Sequence, residues 1–143
     1  MKIRLAASAV LGAAVALVAT SWASATPLFP QTNFSAGNYA FDQPIDVTSD
    51  GTHLWVANIG GNSVTELNAS DGSWVQTLSG GSYNFSGPAT IYSDGTYVWV
   101  ANVNNNSVTQ IDASTGNLVR SMSGGSYGFS YPLGMYSDGT HLW

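Results

Sequence analysis

Apolar and polar residues alternate in short runs along most of this chain, and the same few turn residues break the runs. His53-Leu54-Trp55-Val56-Ala57-Asn58 and Tyr97-Val98-Trp99-Val100-Ala101-Asn102 are dense in β-branched and aromatic residues, a composition that fits a pleated, half-buried surface. Each follows an Asp-Gly-Thr triplet, at Asp50 and at Asp94. Asp-Gly between β-rich runs predicts a hairpin, with the type I′ turn as the expected geometry because that turn needs positive φ. The pattern predicts strands over 45–48, 53–58, 63–67 and 74–78, then at Ile91 and over 97–102, 107–111 and 118–122. No stretch after Ala25 keeps a 3.6-residue apolar period, so helix is not expected there.

The landmarks recur every 44 residues: Pro44, Pro88 and Pro132; Asp50, Asp94 and Asp138; Trp55, Trp99 and Trp143. Residues 44–87 and 88–131 are identical at 24 of 44 positions. Four short strands in a unit of about 40–45 residues is the period of a β-propeller blade. A β-solenoid is the competing reading, but its repeats are usually shorter and hold fewer strands. The expected fold class is therefore all-β, with propeller blades of four antiparallel strands in an incomplete ring. Trp55 and Trp99 are expected to pack between neighbouring blades, since an aromatic side chain buries about 150–250 Å². The recurring prolines are expected to open the first strand, where a missing N–H costs least.

The repeat reads Pro-x-x-x-x-Ser-Asp-Gly-Thr-x-x-Trp-Val-Ala-Asn-x-x-x-Asn-Ser-Val-Thr-x-Ile/Leu from Pro44 and again from Pro88. It resembles the unit of secreted bacterial NHL/YVTN-type β-propellers, a superfamily that also includes streptogramin lyase and gluconolactonase relatives. The resemblance covers 44–143 and extends into a half-unit over 35–43, where Ser35-Ala36-Gly37-Asn38-Tyr39-Ala40-Phe41 echoes Ser79-Gly80-Gly81-Ser82-Tyr83-Asn84-Phe85. It implies the architecture and leaves the activity open, because such folds carry unrelated functions. A closed propeller takes roughly four to eight blades. The chain holds two full units and a third, 132–143, that stops within its second strand. The expectation is a fragment of a longer protein; self-assembly of short chains into one ring is the alternative, if the short chain is genuine.

Met1-Lys2-Ile3-Arg4, an uncharged apolar run over 5–18, and Ala23-Ser24-Ala25 read as a signal peptide cleaved after Ala25. The run is shorter than the roughly 20 residues of a spanning helix, so secretion, or export to the periplasm or cell surface, is expected rather than a membrane anchor. Removal of 1–25 leaves Arg120 as the single Lys or Arg against eight acids, a formal charge of −7. Such a chain has no electrostatic reason to bind nucleic acid or an anionic membrane. Cysteine is absent, which excludes disulfides, thiolate metal sites and thiol nucleophiles. Residues 26–43 are a lead-in with a partial blade.

Candidate ligand-binding residues lie on the loops expected to share one face, those after Asn58 and Asn102 and those carrying Tyr83, Phe85, Tyr127, Phe129 and Tyr131. Amides and hydroxyls beside aromatic rings suit a glycan or a protein partner, while the same Gly, Asn and Ser residues also simply make tight turns. Asp46 breaks the repeat, standing where Thr90 and Gly134 stand later, and its carboxylate is a further candidate on the innermost strand. His53 and His141, which align with Tyr97, are expected to be exposed strand residues rather than catalysts. The lyase and lactonase relatives imply a His/Glu or Glu/Asn/Asp metal cluster. Here Glu66 is the only glutamate, replaced by Gln110 in the next unit. No catalytic residue, metal site or cofactor is assigned. The expected function is a secreted binding scaffold. The alternative is a hydrolase or lyase whose site lies in blades outside this sequence.

Overall fold

The computed structural model describes residues 39–138 and 140–143. The expected signal peptide, most of the lead-in and the glycine of the third Asp-Gly-Thr lie outside the described residues. Eight strands follow in order: β1 (Pro44–Ser49), β2 (His53–Asn58), β3 (Ser63–Asn68), β4 (Trp74–Ser79), β5 (Pro88–Ser93), β6 (Tyr97–Asn102), β7 (Ser107–Asp112) and β8 (Leu118–Met122). They form two four-stranded antiparallel sheets, β1-β2-β3-β4 and β5-β6-β7-β8. Seven of these strands match the expected spans to within about a residue at each end, and the fifth, expected at Ile91, runs from Pro88 to Ser93. Each unit of 44 residues folds as its own sheet because each strand pairs with the next one within the unit, while β4 and β5 belong to different sheets.

Alternation sends each sheet's residues to two faces. On β2, Trp55 and Ala57 are fully buried on one face, opposite Leu54 and Val56 on the other. The first face, with Val64 and Leu78, packs against Ile91, Val98, Val100 and Ile111 of the second sheet to form the main core. Trp55 lies between the sheets as its recurrence predicts. Tyr83 and Phe85, stacked with ring centroids 5.3 Å apart, pack against the same core. A smaller core repeats the arrangement one unit later: Trp99, Val108 and Met122, covered by Phe129, Met135 and Leu142.

The hairpin turns depart from the type I′ expectation. Gly51 and Gly95 have positive φ, but neither neighbour of either glycine does. The aspartate side chain supplies the turn's hydrogen bonds instead: Asp50 Oδ1 accepts the N–H groups of Thr52 and His53, at 2.8 and 2.7 Å. Asp94 does the same for Thr96 and Tyr97, and Asp138 for Thr140 and His141. A carboxylate that caps the turn from the side removes the need for a second left-handed residue.

Pro44 and Pro88 begin β1 and β5. Among the described residues no helix is long and apolar enough to cross a membrane.

Candidate functional site

Most of the candidate residues are committed to holding the two sheets and their loops. Asn58 and Asn102 are fully buried. Asn58 Nδ2 donates to the hydroxyls of Ser63 and Thr65, and Thr65 Oγ1 donates on to the Tyr39 carbonyl. Asn102 repeats this with Ser107, Thr109 and the Tyr83 carbonyl. These amides tie each sheet to the loop that enters it, and in this structure a ligand cannot reach them. Tyr83 is engaged at its other end too, its hydroxyl donating to the Gly116 carbonyl at 2.9 Å.

Asp46 is half-buried, and its carboxylate bridges the sheets. Oδ1 accepts the Val47 N–H and Oδ2 accepts the Ile91 N–H, both at 2.9 Å. One unit later Thr90 sits at the same place and donates its hydroxyl to the Leu133 carbonyl. The side chain at this position changes between units, yet in both it bonds to the backbone of the following unit.

Tyr127, Phe129 and Tyr131 are different. The rings of Tyr127 and Phe129 stack at 5.4 Å. Both line a cavity of about 590 Å³ whose wall also includes Trp99, Arg120, His141 and Trp143. The Arg120 Nε donates to Gln110 Oε1 at 2.8 Å, and its guanidinium lies 6.0 Å from the centroid of the Trp99 ring. Tyr131 does not line this cavity and is 62% exposed. Its backbone has φ of 51°, a region in which a bulky residue is an outlier. The preceding unit places Gly87 there, at φ of 62°. The Tyr131 N–H is anchored by Asn106 Oδ1 at 2.7 Å, as the Gly87 N–H is by Asn62 Oδ1.

The structure also assembles a polar cluster that the sequence reading did not connect. His53 Nδ1 lies 3.3 Å from Asp50 Oδ2 and 3.5 Å from Glu66 Oε1. Glu66 is buried, and its other oxygen accepts from Gln76 Nε2 at 2.6 Å. His53 is therefore not the freely exposed strand residue expected. It shares a face with Trp55, and its side chain is 25% exposed. Register was the missing signal: Trp55 pairs with Glu66, and Glu66 with Gln76, so β2, β3 and β4 stack these groups in one row. In the second sheet the same register aligns Trp99, Gln110 and Arg120, and Tyr97 takes the place of His53, two residues before the tryptophan.

Asp50 sits at the end of this row. Burial pushes its carboxyl upward, but the Trp55 indole, the His53 and Thr52 N–H groups and the Thr52 hydroxyl outweigh burial and hold it well below the usual carboxylate range. Asp94 is lowered in the same way, with burial opposed by the Tyr97 and Thr96 N–H groups and the Trp99 indole. Carboxylates held ionised by turn donors serve structure and are poorly suited to proton transfer near neutral pH. Among the described residues no group of three or more His, Asp or Glu is placed to hold a metal ion.

Neither a protein-family profile nor a curated protein sequence matches this chain. Solved structures do resemble it. Hydrazine synthase from Kuenenia stuttgartiensis superposes with a TM-score of 0.54 at 21% identity, over 75% of this chain and 29% of that one. A Bacteroides fragilis protein named as an exported one superposes with a TM-score of 0.51 at 10% identity, over 62% of this chain and 26% of that one. The chain thus spans less than a third of either neighbour's length. At such identities the likeness is one of fold: all-β, built from antiparallel sheets.

Proposed function

We propose that this chain is an exported repeat module of the NHL/YVTN β-propeller kind, that each four-stranded sheet is one blade, and that its function is to bind a neutral glycan through the loop carrying Tyr131. The leader sequence supports export. The 44-residue unit, folded as one sheet and packed face to face with the next, supports the blade reading.

Tyr131 carries the binding assignment. A tyrosine in the left-handed region costs of order 1–3 kcal/mol, and such strain gathers at binding sites. The position accepts glycine one unit earlier, so packing does not demand the ring. The ring is exposed, four residues after the half-exposed Tyr127 on the loop that also carries Ser123 and Ser126. Aromatic faces next to hydroxyls suit the apolar face and polar edge of a sugar ring.

A glycan array probed with the wild-type chain and with Tyr131→Gly tests this reading. The expected result is binding of neutral glycans by the wild type, lost in a variant that is folded and no less stable. Equal binding by both proteins would remove Tyr131 from the site. Absence of any glycan signal, with a protein captured instead, would replace the glycan by a protein partner.

A further inference from the structure

Asp-Gly pairs occur at Asp50, Asp71, Asp94 and Asp138. In such a pair the glycine amide nitrogen can attack the aspartate carboxyl carbon and close a succinimide ring. Glycine permits the approach because it has no Cβ. The N–Cγ bond forms, and the hydroxyl of the neutral carboxyl leaves with the amide proton as water. Water then opens the ring at either carbonyl. Opening at the backbone carbonyl leaves isoaspartate, with the main chain running through the former side chain. The carboxyl must first turn towards the next amide, so the hydrogen bonds that hold it oppose the reaction.

Those bonds separate the pairs. Asp50 Oδ1 accepts the Thr52 N–H, the Thr52 hydroxyl and the His53 N–H, while Oδ2 accepts the Trp55 indole. Asp94 Oδ1 accepts the Thr96 and Tyr97 N–H groups, and Oδ2 the Trp99 indole. Freeing either carboxyl therefore disturbs a buried tryptophan. Asp71 is held by one neighbour. Its Oδ1 accepts the Ser73 N–H at 2.9 Å, and that N–H, followed by the Ser73 hydroxyl, keeps the carboxyl below its usual range. Asp71 and Ser73 are both exposed. The turn around them is closed by the Gly72 N–H on the Asn68 carbonyl and the Asn68 N–H on the Ser73 carbonyl. Opening it breaks bonds within residues 68–73.

The same turn in the second unit shows that its exposure is intrinsic. There the Gly116 carbonyl accepts the Tyr83 hydroxyl from the loop after the first sheet, yet Ser114 and Thr115 are exposed. Thr115 stands in place of Asp71, so the second unit lacks the reacting carboxyl.

We propose that Asp71-Gly72 is a self-modification site, where the folded protein forms succinimide and then isoaspartate while Asp50 and Asp94 stay protected. The product adds one methylene to the backbone of the β3–β4 turn and moves its carboxylate. The reaction consumes no partner but water and is independent of the glycan reading.

The test holds the full chain at neutral pH and body temperature, folded and, in parallel, unfolded in guanidinium chloride. Isoaspartate is mapped by peptide mass spectrometry and by methyl transfer from an isoaspartate-specific carboxyl methyltransferase. The unfolded chain should convert at Asp50, Asp71 and Asp94 alike. Among these three the folded chain should convert at Asp71 alone, through a species lighter by one water. Ser73→Ala, at an exposed position that leaves the fold intact by circular dichroism, removes the hydroxyl and should convert faster at Asp71. Conversion of the folded chain at Asp50 or Asp94 before Asp71 overturns the proposal. So does a folded chain intact at Asp71 when the unfolded one has reacted, or Ser73→Ala converting no faster than wild type.

Discussion

The indole N–H of Trp55 donates to Oδ2 of Asp50 at 2.8 Å, so the residue that fills the space between the sheets also locks the turn that starts its own strand. The bond recurs from Trp99 to Asp94 at 3.1 Å and from Trp143 to Asp138 at 3.3 Å. The spacing Asp-Gly-Thr-x-x-Trp is thus one structural device: a turn capped by a carboxylate whose second oxygen is held by an indole, which enters a core at Trp55 and Trp99 and is exposed at Trp143.

Replacing Trp55 by Ala should cost about 3–5 kcal/mol, the range for deleting a fully buried large aromatic. Urea unfolding followed by far-UV circular dichroism reads the loss. Val119→Ala, at a residue 47% exposed on β8, should stay within about 0.5 kcal/mol of wild type.

Acid should destabilise the protein. The folded-state pKa values of Asp50 and Asp94 are lowered. Their stabilising contribution is therefore fully present above the unfolded-state value of about 3.9 and is lost as pH falls below it towards the folded values. Thermal melts from pH 7 down to pH 2 should show Tm falling mainly below about pH 4. Asp50→Asn should flatten that dependence, and an unchanged slope would remove Asp50 as its source.

Asp46→Ala should destabilise the protein by about 1.5–3 kcal/mol, because it leaves the Ile91 N–H without its charged acceptor. Asp46→Asn keeps an acceptor oxygen and should recover part of the loss. Hydrogen exchange at the Ile91 amide reports the bond directly: it should quicken in Asp46→Ala and much less in Asp46→Asn.

Asn58 and Asn102 occupy equivalent buried places, yet they should not be equivalent in energy. Asn102 Oδ1 accepts the Ser86 N–H at 3.3 Å, while Asn58 Oδ1 is buried without a partner. Asn102→Ala should therefore cost more than Asn58→Ala, by about 0.5–1.5 kcal/mol, the worth of one hydrogen bond. Chemical denaturation of the two variants side by side decides it.

Several of these relationships were readable before the fold was known. The 44-residue unit, its four strands and the burial of Trp55 follow from alternation and recurrence. The chemistry of the loops was harder to read. Asn58 and Asn102 look like surface amides in a turn-rich sequence, but the hydroxyls of Ser63 and Ser107, opposite them in the antiparallel register, and of Thr65 and Thr109, two residues further along, draw them inward. His53 appeared to be an exposed strand residue because its partner Glu66 lies on a different strand. Tyr131 was visible as a ring on a loop, but its left-handed backbone was not, since φ at that position is set by the anchor from Asn106.

The sequence by itself determined the unit: where each strand begins, which face of each strand is apolar, and where the turns fall. Those properties depend on neighbours a few residues apart, and a repeat states them more than once. Only the tertiary structure decided what each exposed or polar residue is for. Asp46 reaches Ile91, Asn62 reaches Gly87, and Thr109 reaches Tyr83 across the seam between one sheet and the loop or strand of the next. Partners 25 to 45 residues apart leave no local periodicity, because stacking of the sheets, and not the course of the chain, brings them within hydrogen-bond distance.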